Sequence, residues 1–253
     1  MLQGFGSGFS YAQIGQTGFA NGLASNWIAI PDESMVLNYQ MGDTNSYPGS
    51  GITVTDLRGN SNATLYNSPS YSPSGYIEFN PADSEYMITN ASLASKIRSD
   101  VTTIAMWAYP MDDGVLLSER GEASLSSGWH DSQIEVVSGK MKFGMWSSSG
   151  LISLVSNIDT PPNAWYHLVM TYNGENLFAY VNGNYAGFVT FDRLNPIEGG
   201  TDIFYAIAGP DTTNMGDGTY AKMRLGGFQV YNLALTSLQV GRLYENGKNR
   251  YSL

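Results

Sequence analysis

The sequence contains no cysteine, so it can form no disulfide bond, no zinc–thiolate site and no thiol nucleophile. It can therefore fold in either redox compartment. Basic residues are also few: 12 Lys and Arg face 22 Asp and Glu, which gives a formal net charge of −10. A chain with this charge repels phosphate backbones, so we expect no nucleic-acid partner.

Long apolar segments are missing as well. No stretch approaches the roughly 20 residues that span a bilayer, so we expect no membrane partner. The first ten residues, MLQGFGSGFS, lack the basic and apolar regions of a signal peptide. We therefore expect no classical cleavable secretion signal.

The composition that remains favours strands over helices. Charged residues make up only 13% of the 253 residues, and aromatic residues also make up 13%. Solvated helices need charged outer faces, whereas strands can expose Ser, Thr and Asn while they bury aromatic side chains. The length is sufficient for one large β domain with a substantial core. The composition thus predicts an all-β fold.

The clearest strand pattern lies in residues 165–191. Residues 166, 168, 170 and 172 are Tyr, Leu, Met and Tyr, and they share one face of a predicted strand. Ser138-Gly139 and Asn182-Gly183 predict tight hairpin turns. One short helix is expected near the C-terminus, where Thr236 and Gln239 match a capping box and Gly247 supplies a stop.

Residues 1–33 differ from the rest of the chain, because they place aromatic residues irregularly among Gly, Ser and Asn and carry no charge before Asp32. Two interpretations are open: a flexible leader or a segment folded along the domain edge, or else an assembly arm that docks on another chain. The candidate docking residues are Phe5, Phe9, Tyr11, Phe19 and Trp27. Residues 34–253 are then the predicted sandwich domain.

Three segments, residues 76–89, 164–187 and 225–247, resemble the concanavalin A-like, laminin-G-like jelly-roll domains. The resemblance implies a two-sheet antiparallel jelly-roll sandwich with one short C-terminal helix. Residues 41–72 and 247–251 are similar to the variant found in tailed-bacteriophage virion structural proteins. That likeness implies a non-enzymatic virion protein, either capsid-decorating or part of a fibre. Its partners would be the major capsid protein and further copies of itself, and its location would be the virion surface.

Catalytic patterns are scarce. Glucanases of this superfamily resemble one another in a Glu-x-Asp-x-x-Glu strand, which this sequence lacks. Asp83 and Glu85 form one pair beside Pro81, which indicates a turn. His167 lies within a predicted strand and is expected to be a packed, hydrogen-bonded core residue. We therefore predict no catalytic residues and no enzyme, with a glycan hydrolase as a remote alternative.

A lectin-like carbohydrate-binding module, or adhesin, is the main alternative function. Trp129 and His130 are adjacent in a predicted loop and are the ligand candidates; Trp146, Tyr205 and Tyr220 are further aromatic candidates that the sequence does not single out. Laminin-G-like sites commonly hold calcium through loop oxygens, but no dense ligand string occurs, and the expectation is no cofactor. The candidate calcium ligands are Asp83, Glu85, Asp211 and Asp217, with Asp112 and Asp113 as a further pair.

Overall fold

The computed structural model describes residues 29–97, 101–126, 128–147, 149–191 and 202–251. In chain order the strands are β1 (Met35–Gln40), β2 (Thr53–Val54), β3 (Ala63–Tyr66), β4 (Ser70–Ser72), β5 (Tyr76–Phe79), β6 (Tyr86–Thr89), β7 (Thr102–Pro110), β8 (Gly114–Arg120), β9 (His130–Val137), β10 (Lys140–Ser147), β11 (Gly150–Val155), β12 (Tyr166–Tyr172), β13 (Asn176–Val181), β14 (Asn184–Thr190), β15 (Phe204–Ile207) and β16 (Met223–Tyr231). Within the described ranges one α-helix, α1 (Ser237–Gly247), follows β16. No helix in these ranges is long and apolar enough to cross a membrane.

The strands form two antiparallel sheets that share one core. Sheet A has the order β14-β13-β12-β7-β16-β5-β4, and β1 also pairs with β16. Sheet B has the order β11-β10-β9-β8-β15-β6-β3-β2. Apolar side chains from both sheets meet in one buried cluster between them. The predicted all-β, two-sheet antiparallel sandwich with one short C-terminal helix is confirmed.

Local sequence signals explain several of these elements. The inward face of β12 packs into the core between the sheets, as its alternation predicts. Both residues of Ser138-Gly139 and of Asn182-Gly183 have positive φ, which is the type I′ geometry that tight hairpins require. The capping box is present as well, because the Gln239 amide donates to the Thr236 side chain and the Thr236 amide donates to the Gln239 side chain.

The α-helix ends at Gly247, as predicted, but this glycine is not a left-handed cap, since its φ is not positive. Gly247 is the last residue of α1, and the chain continues directly into a 3-10 helix, Lys248–Tyr251. A Cβ atom at this position would lie 2.6 Å from the Trp107 ring. The glycine is therefore needed because the helix approaches an indole on sheet A, and this requirement does not depend on a left-handed backbone.

A buried aspartate organises the loop before β3. Asp56 is only 3% exposed, and its two side-chain oxygens accept four backbone N–H groups. The donors are Asn38, Arg58, Asn60 and Ser61, at 2.7–3.1 Å. Residues 56–60 (DLRGN), which belong to the segment 41–72 on which the phage likeness rests, thus fix this loop against β1.

His167 is a fully packed histidine on the outer side of sheet A. It is 1% exposed, and its ring centroid lies 4.7 Å from that of Trp107. The packing agrees with the core role predicted from the sequence, although the buried Nδ1 atom has no hydrogen-bond partner among the described residues. Burial lowers the pKa of His167 to about 3. The imidazole is therefore neutral in the folded state at physiological pH.

This burial predicts an acid-dependent loss of stability. In the unfolded chain the histidine takes up a proton near its ordinary pKa of 6.5, whereas the folded chain does so only near 3. The stabilisation is complete above the unfolded pKa and falls as the pH drops, by about 1.4 kcal/mol per pH unit. We expect His167→Phe to flatten this slope in urea unfolding between about pH 6.5 and 4.5. Tyr244→Phe, which alters a neighbouring ring but keeps the histidine, should retain it. Equal slopes in wild type and His167→Phe would contradict the prediction.

Candidate functional site

The segment between β15 and β16 is fixed against sheet B by a buried carboxylate. Glu135 of β9 is fully buried, and its oxygens accept the backbone N–H groups of Met215, Asp217 and Gly218 at 2.6, 2.6 and 2.8 Å. The Lys142 ammonium of β10 donates to the Met215 carbonyl at 2.7 Å. These bonds to charged groups give residues 209–222 a defined position across the sheet.

A second buried carboxylate lies at the start of the same segment. The Asp211 Oδ1 atom lies 2.6 Å from His130 Nδ1 and accepts the Thr213 amide at 2.8 Å. Its Oδ2 atom lies 3.3 Å from the Arg120 guanidinium, and both side chains of this ion pair are almost completely buried. Burial lowers the pKa of Arg120, and the negative charges of Asp211 and Asp131 act in the opposite direction.

These contacts set the proton position on His130. A carboxylate can only accept, so the short hydrogen bond is donated by His130 Nδ1 to Asp211, and the ring hydrogen lies on Nδ1. Nε2 is then the ring nitrogen with which His130 can meet a ligand. The His130 side chain is 21% exposed, so a ligand can reach it from solvent.

A shallow cavity of about 160 Å³ opens above this pair. Its lining consists of Gly128, Trp129, His130, Trp146 and Thr213, and we call it the indole cavity. Trp129 directly precedes β9, and Trp146 lies on the neighbouring strand β10, with both indoles partly exposed. The cavity combines two apolar ring faces with an oriented imidazole and has no Asp, Glu, Lys or Arg in its lining.

The two ligand candidates from the sequence, Trp129 and His130, therefore line one cavity. The structure adds Asp211, which the resemblance had suggested as a calcium ligand, and Trp146, one of the further aromatic candidates. Tyr205 is different, because it is 1% exposed and packs in the core between the sheets. The five candidate docking residues of the arm lie outside the described residues.

The other candidate calcium ligands have structural partners. The Asn80 side chain donates to Asp83 at 2.7 Å, and the Asn80 backbone amide donates to Glu85 at 2.7 Å. Burial raises the pKa of Glu85. Asp217 accepts the Thr219 amide at 3.0 Å. Asp113 accepts two amides of the turn before β10.

In the part of the chain that the structure describes, no group of three or more Asp, Glu, His or Cys side chains could hold a metal ion. The absence of a cofactor stays a prediction, with calcium at these carboxylates as its alternative.

Sequence reasoning missed the buried charged residues that build the site. Arg120 ends β8 and Glu135 lies in the middle of β9, and both are fully buried. Charged residues within predicted strands were the available signal, because such side chains are rarely buried without partners.

The family follows from a comparison with known protein families. Residues 81–241 match the model of the concanavalin A-like lectin/glucanases superfamily. The chain belongs to this superfamily. The membership confirms the jelly-roll resemblance that the motifs indicated. No curated protein matches the sequence.

Solved structures with a similar fold include three binding domains of larger proteins. The botulinum neurotoxin serotype D/C binding domain matches with a TM-score of 0.63 and 15% identity over 85% of this chain and 52% of that chain. The binding domain of Paraclostridial Mosquitocidal Protein 1 matches with a TM-score of 0.57 and 16% identity over 86% of this chain and 53% of that chain. The botulinum neurotoxin DC binding domain in complex with SialylT matches with a TM-score of 0.60 and 14% identity over 85% of this chain and 51% of that chain.

This chain thus spans about half the length of each of these three structures. At such identities the likeness shows the fold alone. All three are binding domains and none is a virion protein, so the resemblance to the phage variant stays a prediction.

Proposed function

We propose that the protein is a non-enzymatic carbohydrate-binding module and that the indole cavity is its glycan site. The observation that carries the proposal is the pairing of two partly exposed indoles with an imidazole whose orientation is fixed by a buried aspartate. The superfamily membership and the binding domains among the structural neighbours support this choice over a purely structural role.

A sugar ring matches the chemistry of this cavity. Its C–H faces are apolar and can pack on the Trp129 and Trp146 rings, while its hydroxyl groups can bond to His130 Nε2. Because the lining has no Asp, Glu, Lys or Arg, we infer a preference for neutral sugars. An acidic sugar would lose its hydration without gaining an ion pair.

The size of the cavity limits what it can hold. Its volume of about 160 Å³ is smaller than the roughly 300–1,000 Å³ of sites that enclose a drug-sized ligand. One sugar ring or one chain end fits the cavity, and the rest of a glycan would remain in solvent. Binding at a single site should therefore be weak, and useful avidity would need several copies on one surface. Such display also suits the virion location and the homo-oligomer predicted from the sequence.

Binding to a panel of neutral glycans tests the proposal. We expect Trp129→Ala and Trp146→Ala each to weaken binding about tenfold or more, because buried tryptophan anchors commonly contribute more than 1.4 kcal/mol. Tyr185→Ala, which removes an exposed aromatic side chain from the other sheet, should bind as wild type does. Affinity is measured by calorimetry, and reducing-sugar release should stay at background. Absence of glycan binding, or binding that both tryptophan variants retain, would contradict the proposal.

A further inference from the structure

An exposed apolar patch lies on the outer side of sheet A beside α1. Tyr185 and Phe188 of β14 are 47% and 56% exposed, and Leu238 in the first turn of α1 is 66% exposed. The Phe188 ring stacks on Phe178 of β13 with 5.9 Å between ring centroids. We call these four residues the β14 patch. β14 ends the strand order of sheet A, and its Ala186 carbonyl accepts the Asn157 amide at 2.9 Å, so a further segment can approach the outer face of β14 rather than its edge.

The strand side of the patch can be covered without removing a charge from water, whereas on the α1 side Glu245 lines the same groove as Leu238. The outward positions next to Phe178 and Phe188 are Asn176 and Thr190, whose side chains hydrogen-bond to each other at 2.5 Å. An apolar, uncharged partner therefore fits this surface better than a charged one. Exposed side chains of this size, grouped on one face, are typical of a surface that contacts another segment.

The described chain begins next to this patch. The Ala29 carbonyl accepts a hydrogen bond from the Gln239 side chain at 3.0 Å, and Gln239 follows Leu238 in α1. Ile30 packs against the same outer cluster of sheet A as Phe178. Residues 1–28 therefore join the domain at the border of the β14 patch. An extended chain covers about 3.3 Å per residue, so 28 residues can span up to about 90 Å, which exceeds the roughly 45 Å width of a domain of this size.

The composition of residues 1–28 matches the patch. This segment contains no Asp, Glu, Lys or Arg, and it includes the five aromatic residues that the sequence assigned to an assembly arm. A segment tethered at Ala29 has an effective concentration in the millimolar range at this surface. The same segment from a second molecule reaches that concentration only in a concentrated solution or an assembly. The geometry thus favours the molecule's own segment.

We propose that residues 1–28 cover the β14 patch of the same chain, with their aromatic side chains packed against Tyr185 and Phe188. This contact differs from the docking on another chain that one interpretation of the sequence gives. The contact involves sheet A, whereas the indole cavity lies on sheet B, so a failure of this proposal does not affect the proposed glycan site.

Photo-crosslinking in the full-length protein tests this contact. Phe188→p-benzoylphenylalanine places a crosslinker in the patch, and Ile52→p-benzoylphenylalanine is the control, because Ile52 is 61% exposed but precedes β2 of sheet B. Equal amounts of ¹⁵N-labelled and unlabelled chains are mixed before irradiation, and crosslinked peptides are identified by mass spectrometry. We expect position 188 to react with peptides from residues 1–28 of the same isotopic label, and position 52 not to react with them.

Each other outcome overturns the proposal. Crosslinks between differently labelled chains at position 188 would mean that a second copy supplies the segment. Crosslinks at position 188 to other parts of the chain only, or none, would mean that residues 1–28 do not cover the patch. An equal yield at position 52 would mean that the segment contacts apolar surfaces without preference.

Discussion

Replacing Arg120 by alanine should lower the free energy of unfolding by about 3–5 kcal/mol, the usual cost of breaking a buried ion pair from one side. Arg120 is the largest fully buried side chain among the described residues. Its guanidinium donates to the carbonyls of Leu125 and Pro210 at 3.1 and 2.5 Å and faces Asp211. Without it the buried Asp211 carboxylate loses its cationic partner. The same change also removes the contacts that hold two loops on either side of the indole cavity.

Urea unfolding of a double-mutant cycle measures this effect. Arg120→Ala, Asp211→Ala and the double variant should show a coupling energy of at least about 1 kcal/mol, because the second change removes the charge that the first leaves unpaired. Arg58→Ala is the matched control, since its ion pair with the exposed Asp32 should contribute less than about 1 kcal/mol. A loss below about 1 kcal/mol for Arg120→Ala would show that the ion pair does not stabilise the fold.

We expect Asp56→Ala to lower the free energy of unfolding by a similar amount, about 3–5 kcal/mol. Four backbone N–H groups point at this carboxylate, and the methyl group of alanine can accept none of their hydrogen bonds. Donors that water cannot reach after the change keep the full cost of their desolvation. The loop before β3 should then separate from β1, which destabilises one side of the sandwich.

Two further variants separate the charge from the packing. Asp56→Asn keeps the size of the side chain and one acceptor oxygen but directs an NH₂ group at two of the donors. Its free energy of unfolding should therefore lie between that of wild type and that of Asp56→Ala. Asp43→Ala removes a turn aspartate from the same region, which accepts the Asn45 amide at an exposed position, and should change stability by less than about 1 kcal/mol. If Asp43→Ala and Asp56→Ala are equally destabilising, the buried Asp56 carboxylate does not stabilise the fold more than an exposed turn aspartate does.

Local patterns were sufficient to predict most of the fold. The alternation in β12, the Asn-Gly turn and the capping box at Thr236 each act within a few residues, so they are visible in the sequence. Gly247 shows the limit of this reasoning, because its purpose is contact with Trp107, which is 140 positions away in the sequence. Only the packed structure shows which of the uses of glycine applies.

The candidate site was only partly predictable for the same reason. Trp129 and His130 are neighbours in sequence, and their combination was sufficient to name them. Asp211 and Trp146 join them only because the strand pairing of sheet B and the course of residues 209–222 bring distant positions together. The charge of Asp211 suggested a metal ligand, whereas the structure places Arg120 and His130 on its oxygens. Register and loop paths depend on long-range packing, which no local pattern encodes.

The three amides held by Glu135 have a consequence for how specificity can change in this protein. A loop that is fixed before a ligand arrives loses little conformational entropy on binding, and it cannot reshape itself around a larger sugar. This loop supplies Thr213 to the indole cavity, whereas His130 belongs to β9, Trp146 to β10, and Trp129 is the residue before β9. Because Asp211 of the same loop forms the buried ion pair with Arg120, a change of the loop that altered sugar specificity would also alter folding stability.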